Sequence, residues 1–92
     1  MPEPKTLDRD ELEPIQGGWI VKRTDEYVID VVRQIFNWRV HVAVPDLYGM
    51  VYEHGYCYFG TDAETLTRAV IAAQQWEDPL NTDPIGFDKK AY

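Results

Sequence analysis

A two-layer α+β domain, with an antiparallel sheet of three or four strands and one C-terminal helix on one face, is the fold this chain predicts. Three observations lead there. Residues with strand character crowd the middle of the sequence, one well-capped helical segment follows them, and 92 residues allow one domain rather than two. Strands first and a helix last place the helix on one side of the sheet.

The elements follow in chain order. Residues 1–16 hold five acids, two bases and three prolines (Pro2, Pro4, Pro14). Few apolar residues repay the ordering entropy there, so a mobile acidic arm is expected. Gly17-Gly18 punctuates the chain before a strand at Trp19-Ile20-Val21, and Thr24-Asp25 offers a turn. Residues 27–36 are ambiguous in period. Val28, Val31, Val32 and Ile35 suit a helix, whereas Tyr27, Ile29, Val31 and Ile35 suit alternation. The density of β-branched residues favours a strand. Asn37, able to adopt a left-handed conformation, is the expected hairpin residue.

Trp38, Val40, Val42 and Val44 then alternate with Arg39, His41 and Ala43, which reads as a half-buried strand. Pro45-Asp46 ends it. Met50–Phe59 is a further strand, with Gly55 a candidate bulge. Thr61 and Glu64 have the spacing of a capping box, and Asp62 suits the positive end of a helix dipole. The helix is expected from about Asp62 to Trp76, with Leu66, Ala69, Val70, Ala73 and Trp76 as its buried stripe. Residues 17–78 thus form the domain. Residues 79–92 are a polar tail in which Pro84-Ile85-Gly86-Phe87 could fold back and dock.

Composition removes several function classes. The single cysteine, Cys57, excludes an intrachain disulfide and a multi-cysteine zinc site. The chain has no serine, so every serine-nucleophile mechanism is out. Sixteen acids against nine bases leave a net charge of −7, so nucleic acid is disfavoured as a partner, since phosphate neutralisation supplies most of that affinity. No apolar run has the length of a membrane span. The start, Met1-Pro-Glu-Pro-Lys-Thr-Leu-Asp, lacks a basic stretch followed by an apolar run, so no secretory signal is expected in it.

The chemistry-bearing residues are few. His54-x-x-Cys57 has a familiar metal-ligand spacing, but positions 54 and 57 of a regular strand point to opposite faces. With His41 the soft ligands number three at most, against the four of structural zinc, so neither a metal nor another cofactor is expected. Cys57 shares its expected face with Val51 and Phe59, which reads as burial rather than reactivity. No catalytic residues are assigned. The pairs Asp25-Glu26 and Glu77-Asp78 sit at element ends, where acids are routine.

The sheet face away from the helix carries more. If Val51, Cys57 and Phe59 face the helix, then Tyr52, His54, Tyr56 and Tyr58 line the opposite face, joined by Arg39 and His41. Exposed tyrosines beside arginine are typical of protein interfaces. The plainer alternative is cross-strand packing on a solvated sheet, and a bulge at Gly55 would swap the faces of part of the row.

Four segments occur in order: Val31-Val32-Arg33-Gln34-Ile35-Phe36-Asn37-Trp38-Arg39, then Tyr52-Glu53-His54-Gly55-Tyr56-Cys57-Tyr58-Phe59-Gly60, then Arg68-Ala69-Val70-Ile71-Ala72-Ala73 with Trp76, and Asp83-Pro84-Ile85-Gly86-Phe87-Asp88-Lys89. The ordered set resembles small uncharacterised proteins of actinobacteria and their phages. That group favours tryptophan where this chain has Tyr56 and Phe87. The resemblance implies a phage or prophage accessory protein in a cytoplasm, and carries no assigned activity. The expectation is therefore a non-enzymatic protein that binds a host or phage protein through Arg39, His41, Tyr52, His54, Tyr56 and Tyr58. Alternatives are a homodimer or larger homo-oligomer that packs two sheet faces, and an acidic DNA mimic.

Overall fold

A computed structural model describes residues 12–91. Its elements are β1 (Glu13–Ile15), β2 (Gly18–Arg23), β3 (Val28–Arg33), β4 (Asn37–Asp46), β5 (Gly49–Phe59), α1 (Ala63–Gln75) and β6 (Lys89–Lys90). Each strand pairs antiparallel with its neighbour in sequence, and α1 lies in the last connection.

The α+β class and the antiparallel sheet are as expected, but the sheet has six strands rather than three or four. The two additional strands are short edge pieces. Glu13–Ile15 comes from the stretch expected to be an arm, and Lys89–Lys90 from the tail. Neither carries a strand pattern; each is recruited by unpaired backbone groups of the strand beside it. Leu12 is buried in the core, so the arm expectation fails for residues 12–15, and its remainder, residues 1–11, lies outside the described residues. Pro14 in β1 and the two lysines of β6 disfavour further pairing where these short strands lie, with β6 covering β5 only at Tyr56 and Cys57.

Residues 28–33 form a strand, as β-branching favoured. The turn after it departs from expectation. Gln34 N donates to Asn37 O at 2.8 Å, and no non-glycine residue among those described has a positive φ. Asn37 is therefore the first residue of β4, and Ile35 and Phe36 make the turn in ordinary conformations, exposed to solvent. Gly18 is obligatory: a Cβ there would fall on the backbone oxygen of Val31.

The core lies between one sheet face and α1. Trp19, Ile29, Val31, Trp38, Val40 and Val42 meet Leu66, Ala69, Val70, Ala73 and Trp76. The helical stripe is the one the spacing predicts. Its cap is displaced by one residue: Asp62, not Thr61, is the N-cap, and its Oδ1 accepts from Thr65 N at 2.8 Å. Asp62 has the shorter reach to the third amide of the helix that forms, which starts at Ala63.

Two bulges adjust the sheet. On β2, Val21 is the extra residue between Ile20↔Asp30 and Lys22↔Ile29. On β5, Glu53 is the extra residue between Tyr52↔Ala43 and His54↔Val42. The second reverses three of the four residues in the predicted row on β5. His54, Tyr56 and Tyr58 pair with Val42, Val40 and Trp38, whose side chains face the helix. Tyr56 and Tyr58 are 1% and 0% exposed. The open-face placement of these three residues is corrected accordingly, and Cys57 lies on the open side opposite Arg39.

The C-terminal segment docks. Trp76 Nε1 donates to Thr82 Oγ1 at 3.0 Å, Tyr56 OH to Asp83 Oδ1 at 2.9 Å and Tyr58 OH to the Ile85 carbonyl at 2.7 Å. Phe87 packs edge-on against Tyr56, with ring centroids 5.1 Å apart. Burial of two tyrosines beneath a polar segment needs such acceptors for the hydroxyls.

Candidate functional site on the helix-free sheet face

Strand alternation sends Asp30, His41 and Tyr52 to the face that α1 does not cover. Asp30 pairs directly with His41, and Ala43 with Tyr52, so the three stand on adjacent strands. His41 Nδ1 lies 2.8 Å from Asp30 Oδ1, and Tyr52 OH donates to Asp30 Oδ2 at 3.1 Å. The rings of His41 and Tyr52 stack at 4.2 Å, 15° from parallel. Gly55, opposite His41, brings no side chain to this face.

Asp30 and His41 are each only 5% exposed. A carboxylate this buried needs donors on both oxygens, and the imidazole and the phenol supply them. The arrangement fixes the plane of Tyr52 while leaving half of that residue exposed. Toward the β5 turn the face opens into a groove of about 450 Å³, walled by Ile15, Ile20, Val28, Ala43, Met50 and Tyr52. Arg23 lies at its rim and pairs with Glu13 at 3.0 Å. Toward the opposite end stand Arg39 and the buried thiol of Cys57. Arg39 Nε is buried with no hydrogen-bond partner among the described residues.

Of the six residues predicted for this face, the structure brings Arg39, His41 and Tyr52 together there. His54, Tyr56 and Tyr58 line the opposite side. His54 and Cys57 point away from one another, and no group of three metal-ligating side chains occurs among the described residues. Burial, followed by the Asp83 carboxylate, pushes the Tyr56 hydroxyl up to about 12. Burial raises Tyr58 as well, against the opposing pull of Arg68 and with a smaller push from Asp88. Both hydroxyls are therefore neutral donors to the tail near neutral pH.

Sequence reasoning missed Asp30 and the groove walls Ile15, Ile20 and Met50. Asp30 did leave a mark: it is the one charge inside the run Val28-Ile29-Asp30-Val31-Val32. Comparison with protein-family models, curated proteins and solved structures finds no match to the chain. No helix among the described residues is long and apolar enough to cross a membrane.

Proposed function

We propose that this chain is a non-enzymatic accessory protein that binds a host or phage protein on the helix-free face of its sheet. The observation that carries the reading is the apolar groove bounded by Met50 and Tyr52, both about half exposed, beside a buried network that holds the Tyr52 ring in place. A rigid, half-exposed tyrosine next to an apolar hollow is the kind of anchor that dominates protein interfaces. The phage or prophage context and the cytoplasmic setting rest on the sequence resemblance.

The test compares the native chain with a Met50→Asp/Ile20→Asp variant in affinity capture from nuclease-treated actinobacterial lysate. The expected result is a protein retained by the native chain, lost with that variant, and kept by Ile85→Asp on the other side of the molecule. Retention that survives the groove substitutions would overturn the reading. A mass that doubles with concentration, with no retained protein, would replace it with face-to-face self-association.

A further inference from the structure

Beyond His41, the far end of the helix-free face is positive, although the chain carries a net charge of −7. Cys57 stands between Arg39 on β4 and Lys89 on β6, in one row across three strands. Lys90, the next residue, lies over the Tyr56 ring on the helix side, so alternation keeps Lys89 on the helix-free face. Gly55, two residues from Cys57 on the same strand, brings no side chain, and the Ala91 amide donates to its carbonyl at 2.7 Å. Gly55 and Cys57 are thus the floor of a shallow trench. Arg39 and His41 form one bank, and Lys89 and Ala91 the other.

Arg39 and Lys89 meet no carboxylate among the described residues, whereas Arg23 pairs with Glu13, Arg68 lies 3.9 Å from Asp88 and Lys90 lies 3.9 Å from Asp83. Arg33 is also without a carboxylate, but it pairs across from Trp38, whose side chain faces the helix. Two acids lie near the trench. Asp30, across from His41, has both oxygens engaged by His41 and Tyr52. Asp88, beside Lys89 in sequence, accepts from Phe59 N at 2.8 Å. Donors are left over: Arg39 Nε and Asn37 Nδ2, two residues apart on this face of β4, are buried and meet no acceptor. A buried donor without an acceptor is costly, so a ligand that only accepts is favoured there.

We infer that this trench binds the phosphoryl group of a small molecule as its dianion, seated over Gly55 and Cys57 between Arg39 and Lys89. Neighbouring strands lie about 4.8 Å apart, so the two cations start roughly 10 Å apart, a span that two long side chains close onto one tetrahedral anion. The guanidinium fork matches two phosphate oxygens, and the ammonium adds a second positive charge. Glycine in the floor lets the anion approach the backbone. A nucleic-acid polyanion would meet the repulsion of the whole acidic chain, which one phosphoryl group largely escapes. The inference stands apart from the partner groove, which lies at the Met50 end of the same face.

Inorganic phosphate and phenyl phosphate are the probes, titrated at constant ionic strength into the isotope-labelled full chain while amide resonances are followed. Shifts are expected at residues 37–41, 55–59 and 88–90. Equal binding of the two would indicate a free anion, and tighter phenyl phosphate a monoester. Sulfate should match phosphate, because the trench offers only donors, and the monoanion methanesulfonate should be weaker by roughly tenfold. Arg39→Gln and Lys89→Gln, the second at an exposed position, should each keep the native spectrum and weaken phosphate by roughly tenfold, and Arg33→Gln should leave it unchanged. Methanesulfonate binding as tightly as sulfate, shifts centred on Arg33 or Arg68, unchanged binding in Lys89→Gln, or no shift at millimolar phosphate would each overturn the assignment.

Discussion

Tyr52 and His54, two residues apart on one strand, stand on opposite faces of the sheet. Residues at that spacing share a face on a regular strand. Here Glu53 is inserted between their partners Ala43 and Val42, and the alternation restarts one residue out of phase. Tyr52 consequently joins Asp30 and His41 in the candidate site, while Tyr56 and Tyr58 become core.

The first prediction follows from that division. Tyr58→Ala should destabilise the fold by about 3–5 kcal/mol, as deletion of a buried aromatic ring does. Tyr58→Phe should cost about 1 kcal/mol, the worth of its bond to the Ile85 carbonyl. Urea unfolding of the two variants measures the difference, and a nearly silent Tyr58→Ala would return this tyrosine to the surface.

Alkaline pH should loosen the molecule through the same tyrosines. The folded-state pKa of Tyr56 is raised from 10.0 to about 12. Between those values the unfolded chain loses the proton that the folded chain keeps, so stability is retained below about pH 10 and falls as pH rises through 12. Tyr58, raised in the same direction, adds to the loss. Urea midpoints taken from pH 8 upward should decline above pH 10, and the decline should be shallower in Tyr56→Phe. Equal slopes in the two proteins would show that other groups carry the effect.

At the start of α1 the cap belongs to Asp62. Its carboxyl is held below the usual range, first by the Thr65 amide it accepts from. A lowered pKa adds stability that is present above the unfolded-state value and lost as pH falls through the folded one. Asp62→Ala should lower the melting temperature at neutral pH more than Thr61→Ala does. The gap should close in acid. A larger loss from Thr61→Ala would restore the cap expected from the capping-box spacing.

Asp30 is the residue on which the candidate site turns. Asp30→Ala removes the hydrogen-bond partner of both His41 Nδ1 and Tyr52 OH, and should cost about 1–3 kcal/mol. The Tyr52 ring should lose its fixed orientation, seen as averaging of its ring resonances. A stable Asp30→Ala protein with an ordered Tyr52 would mean that contacts other than this hydrogen bond, the stacking on His41 among them, position the ring.

The alternation from Trp38 to Val44, the stripe from Leu66 to Trp76 and the strand at residues 28–33 were all legible in the sequence, and with them the α+β class. Period, branching and turn residues are local properties of a chain, and they act wherever the neighbours are. Arg39 and His41 could be placed on the open face for that reason. What stands across from a strand is not local. Whether Glu53 is accommodated as a bulge, whether Glu13–Ile15 and Lys89–Lys90 join the sheet, and which face receives Tyr56 and Tyr58 depend on backbone groups and packing space supplied by distant segments. Only the tertiary structure could decide these, because a one-residue shift in pairing leaves the local sequence unaltered yet moves every later side chain to the other side of the sheet.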